Sequence, residues 1–494
     1  MPRLLMHPKP LAALVSASLL LSACAVGPDF HSPPATPAQN YTATPVPVRT
    51  VESAGSAGAA QVLDPTLGLQ SDWWTLFHSE PLAALVKEGL SRNQSVRAAS
   101  ATLRAAQATY DAKTASLFFP QVDATAGGSR QRVSGAQLGE PNFPATTYNL
   151  FNASVGVSYR PDVFGGARRT AEGYRASVDY QRYELEAASL SLTSNLVTTA
   201  ITEASYRGQR AAVSDIVASQ RATLKVVERQ FESGAASKAD VLAQRTQLAA
   251  TEAELPPLEK ALAQTRHRLA VLSGDAPNRP DLPEFDLATF TLPVELPVSL
   301  PSELVRHRPD IQAAEAQLHQ ASANVGVATA NLYPQISLTA SVGTESATLS
   351  DMFKSPSNVW ALGGTITQPI LHAGELRSLR RAAEAQYDAA RETYEGTVLA
   401  AFEQVADTLR AIEWDAQALK AAADTESLAK ESLSLTESQY AAGGVSYLTL
   451  LNAQRQYFDA RRNRVQAEAL RYADTAALYV ALGGGWWNRP ATTP

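Results

Sequence analysis

The sequence predicts a mainly α-helical chain built as a tandem repeat of long coiled-coil hairpins, with four strands of the kind that form a membrane β-barrel. Three observations predict it: two very long proline-free runs, a second half that repeats the first, and four short stretches in which apolar and small polar residues alternate.

Met1 to Ala23 carries Arg3 and Lys9, then an apolar run from Leu11 to Leu21 that is too short to span a bilayer as a helix. It reads as an export signal. The run ends at Leu21-Ser22-Ala23-Cys24, and Cys24 is the only cysteine, so no disulfide can form within one chain. Residues 24–68 are rich in Pro, Ala, Thr and Gly and read as a flexible, solvated tether. A first repeat is expected over 69–276, a Pro-rich linker over 277–300, a second repeat over 301–485 and a tail over 486–494. Short helices are expected from Glu80 and from Ser95 to Phe119, with counterparts at Ser302–His307 and Pro309–Tyr333; Val96, Ala99, Leu103, Ala106 and Tyr110 keep helical spacing.

After each aromatic-Pro pair, Phe119-Pro120 and Tyr333-Pro334, the period drops from about 3.6 to two. Strands are expected near 121–136, 147–160, 335–349 and 359–369. Phe151, Val155 and Val157 in one, and Ile336, Leu338 and Val342 in another, alternate with Ser, Asn, Gln, Thr and Gly. That pattern fits a barrel with lipid outside and water inside. A sheet lying on helices would alternate in the same way. Four strands cannot close a barrel, because an open edge in lipid leaves backbone groups unpaired, so closure calls for oligomerisation. Two copies give eight strands and three give twelve, both even counts seen in such barrels.

The helical hairpins follow. From Glu375 to Ala442 there is no proline and one glycine, Gly396, so a helix can run for roughly 68 residues, or about 100 Å. Val398, Phe402, Val405, Leu409, Ile412, Ala416 and Leu419 form a narrow seam along it. The chain turns at Gly443-Gly444, and Leu451, Phe458, Val465, Tyr472 and Tyr479 fall seven apart on the way back. Ala167 to Glu232, a turn at Gly234, and Val241, Leu248, Leu255, Leu262 and Leu269 repeat the plan, giving a period of roughly 210 residues. Pro256-Pro257 should break the first return leg.

The composition narrows function. The chain has 494 residues, 45% hydrophobic, with a net charge of −6 that becomes −8 once Arg3 and Lys9 leave with the signal, so nothing invites nucleic acid. The seven histidines lack metal-ligand spacing. Ser427-Leu-Ala-Lys430 sits inside an unbroken helical run without companion motifs and is a chance match to a serine acylase pattern. Gly165-Gly166 has no following Lys-Ser/Thr and reads as a strand-to-helix turn. Trp73-Trp74 and Trp486-Trp487 could anchor at a membrane interface or pack where the termini meet. No cofactor, metal or enzymatic role is expected. An alternative function is a lipid-anchored periplasmic coiled-coil adaptor or structural protein, which would carry one hairpin rather than two.

Several motifs together resemble the TolC-like outer-membrane factors, specifically the NodT-type efflux lipoproteins. They are Cys24 with Val26-Gly27-Pro28-Asp29-Phe30, the turns at Phe231-Glu-Ser-Gly234-Ala-Ala-Ser237 and Tyr440-Ala-Ala-Gly443-Gly-Val-Ser446, the runs Asp240-Val241-Leu242 and Leu448-Thr-Leu-Leu451-Asn-Ala-Gln-Arg455, and the end Ala481-Leu482-Gly483-Gly484-Gly485-Trp486. Leu21 to Cys24 likewise resembles a lipobox, with Cys24 the lipidation site and Ala25 giving an outer-membrane address. The resemblance implies a homotrimer with a twelve-stranded barrel and a helical tunnel reaching into the periplasm. It implies a passive exit duct for drugs or other small molecules, served by a periplasmic adaptor and an inner-membrane pump of the resistance-nodulation-division type. Adaptor docking is implied at the tips around Gly234, Ser237, Gly443 and Ser446. The constriction falls by resemblance on Leu448, Thr449 and Asn452, with Asp240 at the matching place in the first repeat; family members often carry acidic residues where Thr449 and Asn452 stand.

Overall fold

A computed structural model describes residues 25–34, 40–134, 136, 139, 142 and 144–489; the expected export signal and the expected lipidation site Cys24 lie outside the described residues. Each repeat contributes two short helices, a strand hairpin, one very long helix and a return leg. The first runs through α1 (Glu80–Arg92), α2 (Gln94–Phe118), β2 (Gln121–Val133), β3 (Thr146–Tyr159), α3 (Gly166–Glu232), α4 (Lys238–Glu252) and α5 (Leu255–Leu272), preceded by β1 (Val62–Asp64). The linker adds β4 (Glu295–Pro297). The second repeat runs through α6 (Pro301–His307), α7 (Pro309–Ala330), β5 (Gln335–Ser346), β6 (Asn358–Thr367), α8 (Glu375–Ala441) and α9 (Tyr447–Ala481). The chain divides into two compact units, and α2, α3, α7 and α8 contribute residues to both.

Helices α3 and α8 are each 67 residues long, about 100 Å at ~1.5 Å per residue. The seam on α8 is buried at Val398, Val405, Leu409, Ile412, Ala416 and Leu419. Return helix α9 is continuous over 35 residues, whereas the first return leg breaks at Ala253-Glu254, just ahead of Pro256 and Pro257 in the first turn of α5. Those prolines lack the N–H that a continued helix would need.

The first unit contains the strands, in the order β2-β3-β5-β6 with every neighbouring pair antiparallel. The register pairs Val122 with Val157, Val155 with Val342, Ile336 with Ile366, and Val342 with Trp360, so these side chains share one face. Ser154 pairs with Gly343, Ser158 with Thr339, and Ser337 with Thr365 on the other. The apolar face is uncovered, with Val342 63%, Trp360 79% and Leu362 80% exposed, and the polar face is open as well along β2 and β6. Among the described residues no helix covers these side chains, so the sheet does not lie on helices through its apolar face.

The segment expected to be a tether is bound to both units, each in its own stretch. In the first unit the Val26 N–H donates to the Phe164 carbonyl (3.1 Å), and Phe30 stacks on His319 with ring centroids 4.3 Å apart. Arg169, itself buried, pairs with Asp29 at 2.6 Å and Glu172 at 2.8 Å. Gly27 has φ +96°, and a Cβ there would meet the Gly326 backbone, so glycine is required twice over. In the second unit β1 pairs in parallel with β4, and the fully buried Gln61 donates to the Pro293 carbonyl and the Thr475 hydroxyl, both at 2.9 Å. Composition suggested slack because Pro, Ala and Thr bury little area; backbone pairing with a distant strand supplies what the side chains do not.

The core of the second unit is aromatic. Trp73 stacks on Tyr479 at 5.5 Å, and Tyr472 meets Phe77 and Phe290. Trp486 donates its indole N–H to the His307 carbonyl (2.8 Å), and Trp487 stacks on His307. Both tryptophan pairs therefore pack within the protein. Nearby on α9, burial and a hydrogen bond with Asp415 push the Asp474 carboxyl up to about 8. An acid raised in the folded state contributes stability below its unfolded value of about 3.8, lost as pH rises through about 8. Thermal unfolding should therefore show the protein losing stability between pH 4 and 8, and Asp474→Asn should flatten that dependence.

Candidate constriction and membrane face

The two hairpin tips are built alike. After α3, Gly234 turns with φ +81°, its N–H donating to the Phe231 carbonyl (3.0 Å), and Ala235 N–H donates to the Gln230 carbonyl (2.7 Å). After α8, Gly443 turns with φ +74° onto the Tyr440 carbonyl (3.0 Å), and Gly444 N–H reaches the Gln439 carbonyl (2.8 Å). These are left-handed helix ends, where glycine carries no Cβ penalty. Nothing lies within 4 Å of a Cβ added at either glycine, so conformation rather than space selects it.

The next helices start on serine caps. Ser237 accepts from the Asp240 N–H (3.1 Å), and the Asp240 carboxylate accepts from the Ser237 N–H (2.9 Å) and hydroxyl (2.7 Å), a reciprocal capping box. In the second tip Ser446 accepts from the Thr449 N–H (3.2 Å), and the two hydroxyls lie 2.9 Å apart. Asp240 and Thr449 are thus matched positions with a shared capping task.

Between the tips, Val227, Val241, Tyr447, Leu450 and Leu451 form a buried cluster, with Leu224, Ala236, Leu433 and Tyr440 against it. Burial raises the Tyr447 phenol, which donates to Gln244 Oε1, and Tyr440 donates to Gln230 Oε1 at 3.0 Å. Leu448, Thr449 and Asn452 lie on the opposite, exposed face of α9, with Leu448 65% exposed. Gly234, Ser237, Gly443 and Ser446 are exposed as well, while Asp240 is half-buried in its cap.

Sequence reasoning missed the ties that hold α9 to the first hairpin. Arg455 donates to Gln247 (2.8 Å), Arg462 to Glu254 (3.1 Å) and Arg461 to Asp215 (2.8 Å). A signal was present: Arg455 and Arg462 are seven apart, as are Gln247 and Glu254, the spacing of flanking charges on two helices in register. At the other end of the chain's chemistry, Phe151 and Val157 are half-buried and Val155, Leu338 and Val342 exposed on the apolar face of the sheet, with Ile336 half-buried on the same side. Among the described residues no group of His, Cys, Asp and Glu could hold a metal ion, and no helix is long and apolar enough to cross a membrane.

A four-stranded sheet with an exposed apolar face and open edges, in a chain with two very long helical hairpins, defines a subunit of an oligomeric membrane channel. The chain belongs to the outer membrane efflux protein family, whose model matches residues 85–275 and 300–484. It is 31% identical to the probable efflux pump outer membrane protein TtgC of Pseudomonas putida, over 97% of this chain and 96% of that one. It is 32% identical to nodulation protein T of Rhizobium leguminosarum bv. viciae, over 99% and 96%. The open-state MtrE outer membrane channel of Neisseria gonorrhoeae superposes with a TM-score of 0.79 at 29% identity, covering 94% of this chain and 99% of that one. The TolC-like, NodT-type resemblance stands. The protein is an outer-membrane efflux channel component, a duct rather than an enzyme.

Because the tip turns depend on their caps, Ser446→Ala should destabilise the tip by about 1 kcal/mol. Hydrogen exchange of the first turn of α9 should speed up accordingly, with the aromatic core of the second unit unaffected.

Proposed function

We propose that three copies of this chain close a twelve-stranded barrel in the outer membrane and a helical duct in the periplasm, through which small molecules leave the cell. The observation that carries the reading is the pair of free sheet edges. Within the four-stranded sheet β2 and β6 are outermost and run in opposite directions. Strand β6 of one copy can therefore pair antiparallel with β2 of the next, and each added copy preserves the arrangement until the ring closes. The resemblance to TolC-like ducts sets the number at three, and three four-stranded sheets give twelve strands.

The helices support the same assembly. Trp414, Leu428 and Leu435 are exposed on α8 at heptad spacing, a second seam left uncovered among the described residues. Phe151, Val155, Val157, Ile336, Leu338 and Val342 then face lipid. The mature protein begins at a lipidated Cys24, held in place by two anchors, acyl chains and barrel. The turns at Gly234, Ser237, Gly443 and Ser446 receive the periplasmic adaptor of a tripartite system, whose energy comes from an inner-membrane pump of the resistance-nodulation-division type.

Where symmetric tips converge, Leu448, Thr449 and Asn452 form rings at the constriction. The rings carry no charge, so the gate rests on Leu448 packing and neutral hydrogen bonds, with less cation selectivity than a carboxylate ring gives. Asp240 serves this gate through its cap on α4.

The unboiled protein should run as a heat-modifiable trimer and conduct ions in a planar bilayer; a monomeric or non-conducting membrane-inserted protein would refute the reading. Val342→Arg should cost the barrel roughly 2 to 4 kcal/mol, and Ser341→Arg on the other face less. Equal costs would argue against a lipid face. Leu448→Ala should raise conductance, and Asn452→Asp should raise cation selectivity and introduce block by multivalent cations. Cys24→Ser should lose the lipid, read by mass spectrometry, and keep the barrel.

A further inference from the structure

Next to the apolar tip cluster, the hairpin bundle contains a buried glutamine layer. Gln220 on α3, Gln244 on α4 and Gln454 on α9 are buried to 0%, 0% and 2% exposure. Gln244 is satisfied: its Nε2 donates to the Gln220 carbonyl (3.0 Å) and its Oε1 accepts from the Tyr447 hydroxyl. The other two are not. Neither side-chain atom of Gln220 has a hydrogen-bond partner, nor does Gln454 Oε1. The antiparallel register of α9 on α3, fixed by Arg461 to Asp215 (2.8 Å) and Gln466 to Gln209 (3.2 Å), brings Gln454 level with Gln220. On the tip side lies the apolar cluster of Val227, Val241, Tyr447, Leu450 and Leu451; on the other side a cavity of about 40 Å³ is lined by Ala212, Val213, Ile216 and Phe458 together with polar side chains such as Gln247, Thr251 and Arg455.

Buried amide atoms without partners are costly, and water satisfies them once helices part. Separating this layer therefore recovers free energy that separating an apolar layer would lose. Farther along, α9 is held at Tyr472, which donates to the Phe290 carbonyl (2.8 Å), and at Thr475, which accepts from Gln61 (2.9 Å). We propose that the glutamine layer is the yield line of the bundle, beyond which the tip ends of α3, α4 and α9 separate as one unit while α9 stays held at Tyr472 and Thr475. Its meaning for gating rests on the reading that the tips form the constriction; on that reading Gln220 and Gln454 are positioning residues that set how readily the duct opens.

The test uses the full-length oligomer in lipid nanodiscs, with Gln220→Leu and Gln454→Leu singly and together, and Gln220→Met as a variant closer in shape. Hydrogen exchange over 222–245 and 440–453 should slow about tenfold for each unpaired amide removed, while 465–481 keeps its rate. Open probability in a bilayer should fall in step. Unchanged or faster tip exchange in assembled variants would overturn the yield line, as would failure of both the Leu and the Met variants to assemble. Leu448→Ala separates the two readings: slowed tip exchange with neither Leu448→Ala nor the glutamine variants altering conductance supports the yield line and refutes the constriction. A response to Leu448→Ala with tip exchange unmoved by the glutamine variants refutes the yield line alone.

Discussion

A backbone amide or carbonyl in lipid must find a hydrogen-bond partner, and the sheet of this chain leaves two whole edges without one. Strands β2 and β6 offer unpaired groups along 13 and 10 residues. In water such edges would invite aggregation; in hydrocarbon each unpaired group costs several kcal/mol. Closure by further copies is the solution open to this chain, and the rest of its design follows from it. An even number of strands lets the ring close antiparallel. On the proposed assembly the bare apolar face is the one that meets lipid.

The duplication makes this economical. One plan, strand hairpin followed by a long helix, a glycine turn, a serine cap and a return leg, is used twice. The copies then diverge where their tasks differ. Pro256 and Pro257 break the first return leg at Ala253-Glu254, whereas α9 stays continuous from the tip to the aromatic core. Asp240 closes a capping box that Thr449 can match only with a hydroxyl. On the proposed yield line, a long uninterrupted α9 held at Tyr472 and Thr475 carries displacement at its tip.

Local periodicity made most of the fold legible. The 67-residue helices were readable from missing prolines, and the strands from alternation that the observed register confirms face by face, Val122 with Val157 and Val342 with Trp360. What stayed hidden depends on partners far apart in sequence. Residues 40–68 look like a tether because nothing local marks Gln61 as the buried partner of Pro293 and Thr475, or β1 as the neighbour of β4. The tryptophan pairs were ambiguous for the same reason, until His307 and Tyr479 appeared beside them. Buried Gln220 gives no sign in the sequence, since a glutamine on a long helix is ordinarily solvated.

The central claim is that copies join edge to edge through β6 and β2. Cysteine pairs such as Gly363→Cys with Gly127→Cys, and Ala361→Cys with Ser129→Cys, scanned along both strands in a Cys24→Ser background, test it directly. Oxidation of the membrane-inserted protein should trap covalent species of up to three chains, with efficiency alternating along the strands at period two. Absence of inter-chain crosslinks along the whole of both strands, in protein that is assembled in the membrane, would contradict it.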